Sequence, residues 1–188
     1  MGASQSVDPR PHRVLVGVSG GIASYKSAFL VSRLAQAGCD VHVAMTRAAT
    51  RFVGPATFAA LSSHPVAIGP IRPQQYPLGP HIALAQDAAL MIIAPATADL
   101  MARCANGFAP CAVSTLYLQV TCPVLMAPAM SSAMWDKPAV QRNVQQLIAD
   151  GVRMVGPGDG WQSCRNKGTG RMAEPEDLLA AAMQELAR

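Results

Sequence analysis

The chain has 188 residues, of which 51% are hydrophobic and only 14% are charged. This composition is sufficient for one well-buried core and excludes an intrinsically disordered chain, which needs many charges and few apolar residues. Fifteen lysines and arginines against eleven acidic residues give a net charge of +4 without a long basic run, so we expect no nucleic-acid partner. The apolar runs are far shorter than the roughly 20 residues that cross a bilayer, so we expect no membrane association.

The cysteines show neither the spacing of metal ligands nor that of a disulfide framework. They are Cys39, Cys104, Cys111, Cys122 and Cys164. An odd number without any Cys-x-x-Cys pair indicates free thiols in a reducing cytoplasm, and no metal site. We expect the first four to be buried, and Cys164 to be different.

Short apolar strands alternate with amphipathic helices along most of the chain. Residues 1–12 predict a flexible tail, and residues 13–188 a single domain. Strands are predicted at 13–18, 41–45, 90–94, 124–127 and 153–155. Helices are predicted at 22–37, 52–61, 81–87, 98–105, 111–118, 139–149 and 175–188, and loops at 64–80 and 156–170. This order predicts an α/β fold: a flavodoxin-like (Rossmann-type), doubly wound parallel sheet in three αβα layers, with its ligand at the carboxyl ends of the strands.

A glycine-rich turn, Gly-Val-Ser-Gly-Gly-Ile-Ala at 17–23, joins the first predicted strand to the first helix. Glycines let the backbone approach an anion, and the N-terminus of the helix presents free N–H groups. The turn is not Gly-x-Gly-x-x-Gly, and it is not a Walker A loop because Tyr25 precedes Lys26. It predicts a phosphate site; the alternative is a glycine turn that only packs.

Two further loops follow predicted strands at the same edge of the sheet. Ala-Pro-Ala-Thr-Ala-Asp at 94–99 leaves room for a flat ring, which Thr97 and Asp99 could hydrogen-bond; alternatively, they cap the next helix. Ala-Pro-Ala-Met-Ser-Ser-Ala-Met-Trp at 127–135 fits either a pocket wall or a core.

Cys164 lies in the glycine-rich stretch 156–170, close in sequence to three cations. Nearby positive charge favours a thiolate, and a glycine-rich flap that carries one such group resembles an active-site lid. The alternative is an exposed loop whose thiol has no role.

His81 begins a helix after the proline-rich loop. The N-terminus of a helix favours the neutral form of histidine, so His81 is a candidate base near neutral pH. Alternatively, it is structural. We assign no role to His12, His42 or His64.

Taken together, these segments resemble the flavin-dependent cysteine decarboxylases. That family includes 4'-phosphopantothenoylcysteine decarboxylase of coenzyme A synthesis and the enzymes that decarboxylate the C-terminal cysteine of lantibiotic-type peptides. The likeness covers about 13–175, with the motifs in the family's order. They are Gly-x-Ser-Gly-Gly-Ile-Ala at 17–23, Met-Thr at 45–46, Thr-Arg-Phe-Val at 50–53, His-Ile-x-Leu-Ala at 81–85, Ala-Pro-Ala-Thr-Ala at 94–98, Pro-Ala-Met-x-x-x-Met-Trp at 128–135, and Cys164 followed by Gly-x-Gly-Arg-Met at 168–172.

The resemblance implies FMN as the cofactor, with its phosphate in the 19–23 turn and its ring beside 96–99 and 129–130. It also implies trimers, often assembled into dodecamers, in which each flavin lies between protomers. The implied cofactor residues are Ser19, Gly20, Gly21, Ile22, Ala23, Thr46, Phe52, Ala96, Thr97, Ala98, Asp99, Ala129 and Met130.

The resemblance also implies a reaction. Flavin oxidises the substrate cysteine to a thioaldehyde, which acts as the electron sink for loss of CO2 and leaves an enethiolate. His81 matches the family's catalytic base, and Cys164 matches the acid that helps the coenzyme A enzymes convert the enethiol to a saturated thiol. Peptide-modifying relatives stop at the enethiol. Substrate contacts are assigned to Ser131, Met134, Arg165, Arg171 and Met172.

Two positions depart from the family pattern. Ser131 stands where the family has an asparagine that holds the substrate carboxylate and amide, and one short hydroxyl cannot span the same contacts. Losing a hydrogen bond to a charged group costs about 1.5–3 kcal/mol. Asp99 also stands where asparagine is usual, and its carboxylate would oppose a negatively charged reduced ring unless it is protonated or turned away.

Three functions therefore remain open. Ser131, together with the absence of the fused synthetase domain usual in bacterial coenzyme A enzymes, favours an oxidative decarboxylase of cysteine-terminated ribosomal peptides that forms aminovinyl-cysteine. Cys164 and its flap favour the alternative, 4'-phosphopantothenoylcysteine decarboxylase. A regulatory or partner subunit of a mixed trimer is the further alternative.

Overall fold

The computed structural model describes residues 11–69 and 79–188. The predicted flexible tail, 1–12, lies outside these residues except for its last two positions. Part of the predicted loop 64–80 lies outside them as well.

Six parallel strands form the central sheet, in the order β3-β2-β1-β4-β5-β6. The strands are β1 (Arg13–Val18), β2 (Asp40–Met45), β3 (Ala67–Ile68), β4 (Ala88–Ala96), β5 (Val124–Pro128) and β6 (Arg153–Met154). Without β3, the order is that of a flavodoxin-like, doubly wound sheet, which confirms the predicted fold class. The strand β3 lies within the segment predicted as a loop, 64–80. Its two residues are too few to show the alternation of apolar and polar side chains that indicates a strand.

Eight helices are described, together with a 3-10 turn at Ala49–Arg51. The helices are α1 (Ser24–Gln36), α2 (Pro55–Ser62), α3 (Pro80–Ala85), α4 (Ala98–Ala105), α5 (Ala112–Gln119), α6 (Ser132–Trp135), α7 (Pro138–Ala149) and α8 (Pro175–Leu186). The helix predicted at 52–61 begins only at Pro55, because proline is favoured in the first turn of a helix. None of the helices in the described part of the chain is long and apolar enough to span a membrane.

The sheet is buried on both faces, so the chain has two hydrophobic clusters. Alternate residues of β1 point to opposite sides: Val14 and Val16 pack toward α1, α2 and α8, and Leu15 packs toward α4, α5 and α7. Gly17 lets α5 approach closely, because a Cβ there would lie 2.6 Å from Val113 Cγ1. Burial on both faces explains why the central strands are continuous apolar runs.

The stretch predicted as a glycine-rich loop at 156–170 contains an antiparallel hairpin. Its strands are β7 (Gly158–Trp161) and β8 (Lys167–Arg171). The glycines conceal the strand pattern because they offer no side chain that could alternate between two faces.

All five cysteines are free, but only Cys104 is fully buried. Burial, with a further contribution from Cys111, raises the pKa of Cys104 to about 12. Cys39, Cys111 and Cys122 are half-buried, so the expectation of four buried thiols was wrong for three of them.

At the amino-terminal end of the sheet, the Asp40 carboxylate accepts three donors. Its two oxygens lie 3.1 Å from His42 Nε2 and 2.7 Å from His64 Nε2, and Arg13 Nε donates at 3.3 Å. Burial opposes ionisation of Asp40, but hydrogen bonds from His64 and His42 outweigh it and lower its pKa. Asp40 and the two histidines place ligand atoms within 4.8 Å, as a metal site would, and in this structure the carboxylate accepts hydrogen bonds from both histidines and from Arg13. The cluster thus ties β1, β2 and the end of α2 together.

We expect Asp40→Asn to lower the free energy of unfolding at pH 7 by about 1–3 kcal/mol, because the carboxamide is uncharged and leaves donors poorly matched. The lowered pKa of Asp40 contributes stability above its unfolded value that is lost as the pH falls through the folded value. The difference from the wild type should therefore narrow below about pH 4. Urea unfolding at several pH values measures this, with exposed Asp136→Asn as the control; equal stability of Asp40→Asn and the wild type at pH 7 would contradict it.

Candidate functional site

A cavity of about 940 Å³ opens at the carboxyl ends of the strands. The turn after β1, the loop after β2, the starts of α4 and α6 and the β7–β8 hairpin surround it. This is the point between β1 and β4 where the strand order reverses, the usual ligand site of such sheets. Its volume is typical of cofactor sites.

Most of the predicted site residues line this cavity. They are Ser19, Gly20, Gly21, Ile22, Ala23, Thr46, Thr97, Ala98, Asp99, Ala129, Met130, Ser131, Met134, Cys164, Arg171 and Met172. Loops from four strands and the hairpin thus bring together groups far apart in the sequence.

The other predicted residues lie elsewhere. Ala96 is fully buried in the cluster against α4 and α5. Phe52 is half-exposed after the 3-10 turn. Arg165 is exposed in the hairpin turn and has a left-handed backbone, with φ 63°. These positions do not support direct contacts with a ligand inside this chain's cavity.

His81 lies in the first turn of α3, and it is not among the residues that line the cavity. Its Nδ1 is buried and has no hydrogen-bond partner within residues 11–69 and 79–188. Gly79 precedes it with φ 90°, and a Cβ there would lie 2.9 Å from His81 Cε1. The backbone before α3 is therefore shaped around this ring.

The glycine-rich turn provides unpaired donors at the mouth of the cavity. The backbone N–H groups of Gly20, Gly21, Ile22 and Ala23 donate to no acceptor in the described part of the chain. No acidic side chain occupies the first turn of α1. Free N–H groups and the positive end of the helix dipole fit the phosphate of a cofactor.

Ser19 has a different role from its neighbours in the turn. Its hydroxyl donates to the Pro95 carbonyl at 2.6 Å and accepts from the Thr97 N–H at 3.0 Å. Its backbone N–H also donates to Pro95, at 3.3 Å. With its proton donated to Pro95, the side chain fixes the turn against the end of β4.

Thr97 and Asp99 stabilise α4 at the cavity wall. Thr97 caps the helix by accepting from the Leu100 N–H at 3.4 Å, so the capping alternative holds for this side chain. Asp99 is exposed, and its carboxylate accepts from Arg103 Nε at 3.0 Å. Since Arg103 balances its charge, Asp99 does not place an unpaired anion beside a reduced ring.

Sequence reasoning missed Lys26, which is 5% exposed and also lines the cavity. Its Nζ donates to the Met172 carbonyl at 3.1 Å and lies 3.0 Å from Glu174 Oε2. The hydrogen bond from Lys26 lowers the pKa of Glu174. The signal was present, because the helical period places Lys26 on the buried face of α1 with Leu30.

Gln162 was also missed. Its side chain is 7% exposed, lines the cavity and hydrogen-bonds to two residues of β8 and to the start of α6. No local pattern could have indicated these contacts, because they depend on how the hairpin docks.

Comparison with known proteins identifies the family. A model of flavoproteins matches residues 2–187. The chain belongs to the flavoprotein family. It is 45% identical over 174 residues to the coenzyme A biosynthesis bifunctional protein CoaBC of Bacillus subtilis, and 43% identical over 171 residues to that of Escherichia coli. These matches cover 93% and 91% of this chain but only 43% and 42% of the relatives, so the chain spans less than half of their length.

Solved structures support the fold. The FMN-dependent cysteine decarboxylase SpaF has a TM-score of 0.78 and 29% identity, covering 94% of this chain and 98% of its own. A PPC decarboxylase mutant complexed with pantothenoylaminoethenethiol has a TM-score of 0.85 and 22% identity, covering 95% and 100%.

These findings confirm the predicted family, the FMN cofactor and the prediction that the chain is an enzyme. They overturn the preference for a peptide substrate, because relatives at 42–45% identity are CoaBC proteins. That preference depended largely on one side chain, Ser131, which is not sufficient to identify the substrate. A lost hydrogen bond changes affinity or rate by one to two decades and does not by itself select another substrate.

We expect Gly20→Ala to destabilise the glycine-rich turn, because its Cβ would lie 2.4 Å from Ala48 Cβ and 2.8 Å from the Ala48 carbonyl carbon. The flavin-free protein should lose about 1–3 kcal/mol of unfolding free energy, and its affinity for FMN should fall. Gly21→Ala is the matched control, since its Cβ would meet only Thr97 Cγ2, at 3.7 Å. Urea unfolding and flavin fluorescence measure both; equal stability of the two variants would show that the close approach is unimportant.

Proposed function

We propose that the chain is a 4'-phosphopantothenoylcysteine decarboxylase with FMN as its cofactor. The observation that carries this proposal is the placement of Cys164, the residue that distinguishes the coenzyme A enzymes within the resemblance, in the same cavity as the phosphate-binding turn. The 45% identity to CoaBC over 93% of the chain supports it.

The free N–H groups of 20–23 would hold the FMN phosphate. The Thr46 hydroxyl accepts from the Ala49 N–H at 3.2 Å, which leaves its own proton for the same phosphate. Ala98 and Ala129 line the cavity with small side chains, which leave room for a flat ring. When bound, FMN would supply a reversible acceptor for the two electrons of the substrate cysteine.

Cys164 would act after CO2 has left. Decarboxylation leaves an enethiolate on the substrate, and a saturated thiol forms only when carbon gains both a proton and a hydride, which would return the two electrons that the cysteine gave to bound FMN. The Cys164 thiol would supply the proton at Sγ, from the hairpin that packs against the loop before α6, where Ser131 would contact the substrate. Such an acid must be a reduced thiol, which fits the cytoplasmic location that the cysteine pattern predicts.

His81 would serve the cavity of a neighbouring protomer in a homotrimer. It does not line the cavity of its own chain, and its buried Nδ1 lacks a partner among the described residues. Large apolar side chains are exposed along one face of α1 and beside it: Ile22 is 59% exposed, Tyr25 61%, Phe29 44% and Phe52 50%. An apolar patch of this kind is typical of a subunit interface.

Ser131 would contribute less to substrate binding than asparagine does in the family. It lies at the N-cap of α6, lines the cavity and makes no side-chain capping hydrogen bond. Its hydroxyl is therefore available to a substrate carboxylate, with one donor instead of a carboxamide. We infer a weaker clamp on the same substrate.

The proposed function predicts distinct products for two cysteine variants. With phosphopantothenoylcysteine, the wild type should release CO2 and form the saturated thiol, whereas Cys164→Ser should release CO2 and accumulate the enethiol, each up to one equivalent per bound FMN, because the flavin is left reduced. Cys111→Ser is the matched control, because Cys111 lines the same cavity, and should give the saturated thiol. Mass spectrometry of the products measures this; turnover by the wild type only of peptides ending in cysteine, with loss of CO2 and two hydrogens, would refute the proposal.

A shared site predicts complementation between inactive chains. His81→Asn should bind FMN but release no CO2, and Cys164→Ser should stop at the enethiol. Trimers refolded from a mixture of the two should form saturated thiol, because some sites combine an intact histidine from one chain with an intact cysteine from the other. Absence of saturated thiol in verified mixed trimers would mean that both groups act from one chain.

A further inference from the structure

The Gln162 carboxamide is buried in a hairpin whose other polar side chains are largely exposed. Its Nε2 donates to the carbonyls of Gly168 and Thr169, each at 3.1 Å. Its Oε1 accepts from the Ser132 N–H at 3.1 Å and faces the Cys164 thiol at 3.5 Å. Both donors and the acceptor of this amide are thus used within the protein.

The partners of Gln162 belong to three segments that the proposed reaction needs together. Gly168 and Thr169 lie on β8, Cys164 lies in the hairpin turn, and Ser132 begins α6 directly after Ser131. One buried amide therefore links the proposed acid to the loop that would hold the substrate. A carboxamide of this kind fixes geometry, because leaving a buried donor or acceptor unpaired is costly.

A second contact shows how closely the hairpin docks on this loop. The Met130 N–H donates to the Gly170 carbonyl at 2.9 Å. Gly170 has φ 138°, and a Cβ there would lie 2.3 Å from the Met130 carbonyl oxygen. The same Cβ would lie 3.0 Å from Gln162 Nε2, so the two backbones meet directly beside the Gln162 carboxamide.

Gln162 is poorly suited to bind the substrate itself. The asparagine that the family has at position 131 would offer a free carboxamide. The Gln162 carboxamide, by contrast, would have to release the Ser132 N–H or two carbonyls before it could contact a ligand. Its role therefore concerns the position of Cys164.

We propose that Gln162 is a positioning residue that holds the Cys164 hairpin against the start of α6, and so determines whether the enethiol is converted to the saturated thiol. Its effect on product formation rests on the proposed function; its effect on the hairpin does not. Loss of the carboxamide should free the Cys164 hairpin from the start of α6, while the residues that would bind FMN and remove CO2 stay in place.

The test compares Gln162→Met, which keeps the length of the side chain without its polar atoms, with Thr169→Val. Thr169→Val removes an exposed hydrogen bond to Asp159 in the same hairpin but leaves the carbonyl that Gln162 uses. In a single turnover with phosphopantothenoylcysteine, at no more than one substrate per bound FMN, Gln162→Met should lower the ratio of saturated thiol to enethiol about tenfold or more, with the rate of CO2 release within about threefold of the wild type. Thr169→Val should leave the ratio unchanged.

A measurement without substrate separates this inference from the proposed function. In the FMN-loaded protein, amide hydrogen exchange at Ser132 should be about tenfold faster or more in Gln162→Met, because its acceptor is lost. Thr169→Val should match the wild type, since the carbonyl that Gln162 uses remains. If the wild type does not turn over phosphopantothenoylcysteine but these exchange rates hold, the proposed function fails and the tie to α6 stands.

Two results would overturn the inference. One is unchanged protection at Ser132 in Gln162→Met, which would show that the carboxamide does not hold α6. The other is an equal fall of CO2 release and saturated thiol, which would show a general structural role rather than control of the second half of the reaction.

Discussion

The hydroxyl of Ser19 joins the ends of the two central strands, and the site depends on this junction. It donates to Pro95 and accepts from Thr97, with almost no exposure to solvent. A buried hydroxyl with both capacities used is stabilising only in one arrangement, because separating the strand ends would leave unpaired polar groups. The N–H groups of 20–23 and the start of α4 therefore face one cavity, although more than 70 residues separate Ser19 from Pro95 along the chain.

The architecture follows from the sequence wherever burial alone specifies it. The bounds of β1 and α4 agree with the apolar pattern, because strands buried on both faces and a helix with one apolar face carry clear periodicities. The β7–β8 hairpin, α6 and β3 could not be predicted in the same way. They are short or rich in glycine, and tertiary contacts specify them, such as that between Gly170 and the Met130 carbonyl.

The site could be predicted in type more readily than in the role of each residue. Glycines at a strand-to-helix turn indicated an anion site, and the free N–H groups fit it. The sequence could not show that the Ser19 hydroxyl is consumed by Pro95, since that bond spans 76 residues. Gln162 escaped notice for the same reason, because its partner Ser132 is remote in the sequence. The burial of Lys26, by contrast, could have been inferred from the helical period of α1.

The charges around the cavity explain why backbone groups would do so much of the binding. Arg103 is paired with Asp99, and both Lys26 and Arg171 are paired with Glu174. These cations thus hold α1, α4 and the segment after β8 in place, and two carboxylates offset part of their charge. A cofactor phosphate would then meet the N–H dipoles of a rigid turn, which are fixed before binding and cost little reorganisation, together with the remaining positive charge, to which Arg47 at the cavity wall adds. The thiol is positioned differently. The loops at the carboxyl ends of the strands form one wall of the cavity, and the position of Cys164 depends on the β7–β8 hairpin that packs against them. If Cys164 is the acid, as we propose, separate supports for cofactor and acid would allow the second half of the reaction to change without loss of the first.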